Sequence, residues 1–343
     1  MQKLLTIIIP TFNMQDYLGR CLESLIVSED LMQSLEVLVI NDGSKDRSSQ
    51  IAHSYQDRFS DTFRVIDKEN GNYGSCVNRG LKEATGKYIK VLDADDWFDN
   101  TVFVQFVRML SRIQDVDMIL SDFQMVTNEG SLIRECKFVL PYGNVAFQEY
   151  CEKEYFALHS ITYRTQLLRD IRYRQTEGIS YTDNEWMYYP QCYVESCIYV
   201  NHNLYRYCLG REGQTMSSQA RKNAAPTIIK LLENMILYAE SVPVDQHKKE
   251  GYKRLIDFIC HSGTGVYKDY LVNTCKKDFN SAELRSFDVF IAQHNQVIYN
   301  EIAKRCVLNG IPIHYAAYWR KYGKRFPVDH FKEIYRRIRY GKA

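Results

Sequence analysis

Three carboxylates, Asp93, Asp95 and Asp96, follow at once on the short β-rich run Tyr88 to Leu92, which Gly86 sets off from the segment before it. A strand ending this way delivers several acidic oxygens to one rim of a sheet. Alternation along an extended chain sends Asp93 and Asp95 to the same side. Hard divalent cations such as Mg²⁺ and Mn²⁺ prefer carboxylate and phosphate oxygen, and Mg²⁺ usually takes only one or two protein carboxylates. The chemistry on offer is a metal site that a phosphorylated ligand completes. Asp-x-Asp by itself is also common in solvated acidic loops. Three adjacent carboxylates repel one another, however, unless a cation or solvent relieves them. The neighbouring turns must decide.

The elements that position this rim read as an alternation of strands and helices. Leu4 to Ile9 is a continuous apolar run, as in a buried parallel strand, and Pro10-Thr11-Phe12-Asn13 turns out of it. Leu18, Cys21, Leu22, Leu25 and Ile26 repeat at helical spacing. Glu36 to Ile40 is a second strand, left through Asn41-Asp42-Gly43-Ser44, and residues 46 to 58 form a helix. A third strand at Phe63 to Ile66 and a helix from Ser75 to Thr85 lead into the carboxylate strand. This pattern predicts an α/β fold with a mostly parallel central sheet and helices on both faces. Ligands of such sheets sit beyond the carboxyl ends of the strands, where all these turns lie.

From Asp117 the rhythm changes. Met118 to Leu120 reads as one more strand, Phe123 to Val139 as an antiparallel pair around Asn128-Glu129-Gly130, and Cys197 to Val200 and Leu204 to Tyr207 as short strands. Thr182-Asp183-Asn184-Glu185 has capping-box form ahead of a helix that Pro190 ends early. Beyond Gly213 the pattern is helical, near 227–240, 246–271, 281–303 and 328–339. The expected division is 1–217, with halves 1–98 and 99–217, followed by a helical C-terminal region at 218–343.

Composition narrows the field. With 343 residues, 45% hydrophobic and 25% charged, the chain reads as a globular protein of two domains or one extended domain. A net charge of +2 gives no pull toward nucleic acid. Ten scattered cysteines include no Cys-x-x-Cys pair, and Cys192 and Cys197 read as small buried apolar residues. No signal-like segment or membrane-length apolar run occurs, which points to a reduced, cytoplasmic protein. The first turn lacks Gly-x-Gly-x-x-Gly, and no Gly-x-x-x-x-Gly-Lys-Ser/Thr occurs, so dehydrogenase and phosphate-loop ATPase readings fail. A phosphatase with an Asp nucleophile would carry its Asp-x-Asp on the first strand.

Four turns, jointly and in order, resemble those of the family-2 glycosyltransferases with the GT-A fold. They are Ile8-Ile9-Pro10-Thr11-Phe12-Asn13, Val39-Ile40-Asn41-Asp42-Gly43-Ser44-Lys45-Asp46, Asn72-Tyr73-Gly74-Ser75-Cys76-Val77-Asn78-Arg79-Gly80, and Gly86-Lys87-Tyr88 running into Leu92-Asp93-Ala94-Asp95-Asp96. The resemblance is close over the first third and looser to about Ser217. It implies a nucleotide pocket bordered by Pro10, Thr11, Phe12 and Asn13, with Phe12 near the base and Asp42 accepting a base N–H, which suits uracil. Asn78 and the Gly71 to Gly74 turn would help shape that pocket, with Ala94 counted beside it. Asp93 would contact the ribose or a metal-bound water, and Asp95 would ligate Mn²⁺ or Mg²⁺ on the diphosphate. The third motif departs from the family's usual Ala-Arg-Asn ending. The residues also admit plainer roles. Asn41 to Ser44 fits a turn with a helix cap, and Phe12 fits a core position.

In the second half the resemblance implies that Asp183, opening a helix at the acceptor side, is the general base, with Glu185 as rival. A first-turn carboxylate favoured by the helix dipole is the structural alternative. Arg206 or Arg211, within Tyr205-Arg206-Tyr207 and the run 211–217, would pair with phosphate oxygens. The histidines read as structural. The basic stretch Arg320 to Lys342, with Val328, Phe331, Tyr335 and Ile338 on one helical face, suits either peripheral contact with an anionic inner leaflet or a solvated face. The implied enzyme is a metal-dependent inverting glycosyltransferase. It would move sugar from a nucleotide sugar, UDP-linked by preference, to a glycan or lipid-linked acceptor in surface polysaccharide synthesis. A sugar-nucleotide nucleotidyltransferase and a silent nucleotide- or carbohydrate-binding protein are the alternatives. The first would need a Gly-rich basic first turn, the second a loss of the acids.

Overall fold

The computed structural model describes residues 3–113, 115–150, 154–211, 224–273, 281–308, 314–325 and 327. Its centre is the strand β1 (Leu5–Thr11), almost wholly buried because five of its seven side chains are apolar or proline and both faces are covered. The helix α1 (Leu18–Glu23) and the short α2 (Glu29–Met32) lead to β2 (Leu35–Asn41), which lies parallel to β1 with Ile9 opposite Val39. Then come α3 (Ser48–Arg58), β3 (Phe63–Asp67), α4 (Asn72–Glu83) and β4 (Tyr88–Val91). These strands give a parallel β3-β2-β1-β4 sheet, as the alternation of elements predicts.

The sheet continues with less regular members. The two-residue β5 (Trp97–Phe98) precedes α5 (Asn100–Leu110), whose first turn is capped by Asp99 accepting from the Val102 amide at 3.0 Å. Next, β6 (Met118–Val126) and β7 (Leu132–Cys136) form the expected antiparallel pair, and β8 (Gly143–Val145) pairs farther along. After the short α6 (Phe147–Tyr150), β9 (Ile161–Arg164) slots antiparallel between β4 and β6, a placement that no local pattern announces. The helices α7 (Thr165–Asp170) and α8 (Asp183–Tyr188) follow. The two short strands expected near residues 197 and 204 are one strand, β10 (Cys197–Cys208), with a register irregularity between Val200 and Tyr205. Cys192 and Cys197 are buried, as expected.

The chain divides into two compact units, Met1–Ser217 with Val244–Tyr252, and Ser218–Pro243 with Lys253–Ala343. The second unit is helical, with Leu232, Met235 and Ile236 of the helix Ala225–Ser241 buried, as are Leu284, Phe287 and Ile291 of the helix Ser281–His294. The single helix expected over 281–303 is interrupted at Asn295, whose side chain accepts from the Ile298 amide at 3.0 Å and starts a new helix, Gln296–Arg305. No helix among the described residues is long and apolar enough to cross a membrane. The amphipathic segment expected at 328–339 lies outside the described residues. Of the basic stretch, Arg320 donates to Asp288 at 2.7 Å and Arg325 to the carbonyl of Leu271 at 2.7 Å. Both guanidiniums are held within their own unit.

Candidate active site

The carboxylate rim is a turn, not an extended strand. β4 ends at Val91, and the Asp96 amide donates to the Asp93 carbonyl at 3.0 Å. Strand alternation therefore stops short of the carboxylates, and the pairing of Asp93 with Asp95 on one side does not follow from it. One ligand atom each from Asp93, Asp96 and His159 lie within 4.8 Å of one another, while Asp95 ion-pairs with Arg211.

Each carboxylate has a different job in this turn. Asp96 is almost fully buried and spends both oxygens on the protein, accepting from the Cys208 amide at 2.7 Å and the Tyr205 hydroxyl at 2.7 Å. Burial first, then Asp95 and Asp93, pushes its pKa well up. Asp96 therefore ties the turn to β10. Asp93 accepts from the Tyr73 hydroxyl at 2.8 Å. Burial and the neighbouring Asp95 charge push its pKa up to about 7, with the Tyr73 bond working the other way. Ala94, expected beside the nucleotide pocket, has its methyl packed in the hydrophobic core, which leaves its backbone as the part that could face a nucleotide.

The first two turns brace each other. Asn13 has a positive φ of 54°, and its amide donates to Ser44 Oγ at 3.1 Å while its side-chain oxygen accepts from the Lys45 amide at 2.8 Å. Asn13 is a stitch between turns. Asn41 and Ser44 fit the plainer turn reading, since Asn41 Oδ1 accepts from the Ser44 amide at 3.2 Å. Pro10 and Thr11 end β1, and the Thr11 carbonyl accepts from the Asp42 amide at 2.8 Å. Phe12 is 44% exposed, a costly place for a core phenylalanine and a suitable one for a stacking surface. Asp42 is buried, and its Oδ1 accepts from the Gly71 amide at 3.0 Å and from Lys68.

Two predicted pocket residues are used elsewhere. Asn78 donates to the Gln175 carbonyl at 2.9 Å and to Glu177 at 2.8 Å, and accepts from the Gln175 amide at 2.8 Å. At Gly74 an added Cβ would stand 2.1 Å from the Thr176 carbonyl oxygen. Both residues fasten α4 to the segment before α8, and neither is spent on the strand ends. Likewise Arg206 donates to Asp99 at 2.8 Å and to the Asn203 carbonyl at 2.6 Å, so Arg211 is the arginine brought to the rim. The run 212–217 lies outside the described residues.

Asp183 opens α8 and, with Asp93, Tyr73, His159, Tyr181 and Tyr207, lines a cavity of about 250 Å³. Burial pushes its pKa up to about 6 against the pull of backbone N–H bonds. The predicted capping box is not formed. Thr182 makes no capping bond and its hydroxyl is buried without a partner, while the Glu185 carboxylate turns to Thr176, accepting from its amide at 2.6 Å and its hydroxyl at 2.7 Å. Glu185 is fully buried and braced, which removes it as a rival to Asp183 at the cavity.

Two residues at the site, His159 and Lys90, carried no sequence signal, and a third, Tyr73, entered only as part of the Gly71 to Gly74 turn. Tyr73 sits in α4, which begins at Asn72 because Asn72 adopts φ 66°, three residues before the expected start. His159 stacks on Tyr207 with ring centroids 4.1 Å apart, and burial with the nearby Lys90 lowers its pKa to about 3, so the ring is neutral. Lys90 is fully buried in β4, its pKa lowered to about 7 by burial, and it donates to the carbonyls of His159 at 2.8 Å and Ile161 at 3.1 Å.

The comparisons agree with this architecture. Residues 6–172 match the family described as glycosyl transferase family 2. The chain is 27% identical over 257 residues to the uncharacterized glycosyltransferase MG025 of Mycoplasma genitalium, covering 70% of this chain and 80% of that protein. It is 24% identical over 287 residues to glycosyltransferase GlyA of Streptococcus pneumoniae, covering 78% of this chain but only 40% of that longer protein. In fold it is similar to S. aureus TarS 1–349, crystallised with UDP-GlcNAc, at TM-score 0.69 and 15% identity over 99% of this chain and 92% of that one. The family match ends at Arg172, so it spans the strands and turns of the carboxylate rim but stops before Asp183 and Arg211. The family-2 match over residues 6–172, with these relatives, marks the chain as a glycosyltransferase, and its fold is the GT-A fold.

Proposed function

We propose that this glycosyltransferase takes a sugar from a nucleotide diphosphate donor, UDP-linked by preference, and passes it with inversion to a hydroxyl of a glycan or lipid-linked acceptor. The observation that carries the reading is the shared cavity. Asp183, with its raised proton affinity, and Asp93 of the acidic turn line the same space of about 250 Å³. A base and a donor-side carboxylate facing one small cavity suit in-line transfer between two subsites.

Asp183 would accept the proton of the acceptor hydroxyl as its oxygen attacks the anomeric carbon from the face opposite the leaving diphosphate. Such a base is worth roughly 10²–10⁴ in rate. Its pKa near 6 leaves it ionised at neutral pH yet basic enough to take a proton. Phe12 would cover the base and Asp42 would accept its N–H. Arg211, now the counter-charge of Asp95, would serve the departing diphosphate.

The donor set fits a hard divalent cation. Asp93 and Asp95 offer carboxylate oxygens, burial and then the Asp95 charge raising the Asp93 pKa, and the neutral His159 ring has no partner at Nδ1 among the described residues. Asp95 and Asp93 would hold Mn²⁺ or Mg²⁺, which would neutralise charge developing on the diphosphate. Asp96 stands in the same cluster as Asp93 and His159, its two oxygens already hydrogen-bonded to Tyr205 and Cys208.

TarS is a fold neighbour crystallised with UDP-GlcNAc, which places UDP-sugars first in a donor panel. Hydrolysis of UDP-, GDP- and dTDP-sugars would be followed with and without Mn²⁺. Metal-stimulated release of one nucleotide supports the reading, and no release from any donor, with no nucleotide binding by calorimetry, sinks it.

A further inference from the structure

A second cavity, of about 580 Å³, opens on the other side of the seam between α4 and the segment that follows α7. The seam itself is stitched by the Gly178 amide donating to the Gly71 carbonyl at 3.0 Å, the Gly74–Thr176 approach, and the Asn78 bonds to Gln175 and Glu177. Asn72 and Tyr73 of α4 face the reaction cavity, whereas Ser75, Asn78, Arg79 and Lys82 of the same helix face this one.

The lining is strongly basic. Lys68, Arg79, Lys82, Arg169, Arg172 and Arg174 stand around it, with Glu177 as the one carboxylate. Three of these cations are matched by acids: Lys68 by Asp42, Arg79 by Glu83, and Arg174 by Glu177. Among the described residues the other three have no acidic partner: Arg169 donates to the neutral Ala84 carbonyl, at 2.6 Å, and Lys82 and Arg172 are exposed and make no ion pair there. Arg172 is also held at a positive φ of 51°. Leu81, Leu168 and Tyr173 form an apolar floor beneath them. Uncompensated cations converging on a concave surface raise the local concentration of anions, and guanidinium matches phosphate oxygens geometrically.

We propose that this cleft is a phosphate-binding site separate from the donor diphosphate site, formed by Lys82, Arg169 and Arg172. Its position gives it two connections. Lys68 reaches from its wall to Asp42, and Thr176, within the seam, is held by Glu185 of α8, two residues from Asp183. A bound phosphate group would therefore brace the helix that carries the base while touching none of the reacting atoms. The phosphate could be free in solution or carried by an acceptor on an apolar carrier. The chemistry is shared, and the assignment rests on the glycosyltransferase reading only for its consequence, not for the binding itself.

The test uses the full chain saturated with UDP and Mn²⁺, so that the donor subsite is filled. Inorganic pyrophosphate and farnesyl diphosphate are titrated separately by calorimetry into wild type and into Lys82→Gln/Arg172→Asn, asparagine being chosen because it tolerates positive φ. Saturable binding that UDP does not displace, weakened roughly tenfold or more in the double variant and by raised salt, is the expected result. Preference for farnesyl diphosphate assigns a carried phosphate, and equal binding of both probes a free one. No UDP-insensitive binding, or equal affinity in wild type and variant, overturns the site. UDP affinity measured on the same samples reports separately on the donor reading, and circular dichroism confirms that the variant is folded.

Discussion

Replacing Asp183 by Asn separates a base from a helix-end charge, because the two roles predict opposite changes in stability. Burial raises the Asp183 pKa from 3.8 to about 6, so its carboxylate is less stable in the folded protein than in the unfolded chain. The folded state therefore binds more protons between those values, and stability falls as pH rises from about 3.8 to 6. Above pH 6 the cost is present in full, with an upper bound of about 3 kcal/mol from two units at about 1.36 each. Asn removes the charge and keeps the size. The variant should melt higher than wild type at pH 7.5, by roughly 2–4 °C per kcal/mol, with the gain fading at pH 4. Transfer should meanwhile fall by roughly 10²–10⁴ with UDP affinity nearly unchanged. In wild type, kcat should lose about tenfold between pH 7 and pH 5, as the ionised fraction drops from about nine tenths to one tenth. Asp93, at about 7, adds its own acid limb. Saturating Mn²⁺ competes with that proton and should move only that limb down. Glu185→Gln is the control. It replaces one of the two accepting oxygens by an NH₂ group, which then faces either the Thr176 amide or the Thr176 hydroxyl, so it should lower stability by about 1–3 kcal/mol and keep most of the activity per folded molecule. A Asp183→Asn variant that melts lower and still transfers sugar would return Asp183 to the role of a helix-dipole charge.

Other perturbations probe the frame around it. Asp95→Asn should abolish transfer and metal-dependent UDP binding, because it removes an anionic ligand, and unchanged metal-dependent binding by calorimetry refutes the assignment. Tyr73→Phe deletes the 2.8 Å bond that favours ionised Asp93, so the Asp93 limb should move to higher pH and metal-dependent UDP binding should weaken roughly tenfold. A pH profile identical to wild type would leave Tyr73 as packing only. Gly74→Ala puts a methyl 2.1 Å from a backbone oxygen that cannot move without loosening the seam, and should cost about 3 kcal/mol or more in urea unfolding. Wild-type stability there would mean that the seam yields freely.

What the sequence shows well is what short spans of chain determine. The apolar run of β1, the Asn41–Ser44 turn and the acidic end of β4 each depend on neighbours within a few residues, and each lies where the pattern puts it. Asp42 and Asp183 stand out for the same reason, as carboxylates at a strand end and a helix start. The detailed chemistry of the rim was harder to read, because alternation holds only while the chain stays extended. The 3.0 Å bond from the Asp96 amide to Asp93 ends that regime, groups Asp93 with Asp96, and leaves Asp95 to Arg211.

The pairing of Lys90 with His159 follows from the insertion of β9 between β4 and β6. Lys90 would be an unreasonable side chain for the middle of a buried strand if its neighbours were all helices and apolar strands. The chain just before and at the start of β9 presents the His159 and Ile161 carbonyls to it, and these bonds offset part of the desolvation that lowers its pKa to about 7. Holding the His159 carbonyl also fixes where the imidazole stands, against Tyr207 and within reach of the acidic turn. A lysine at position 90 and a histidine at 159 have no spacing that links them. Their partnership exists only once the strand order is known, and through it a charge buried in the sheet comes to orient a neutral ring at the edge of the reaction cavity.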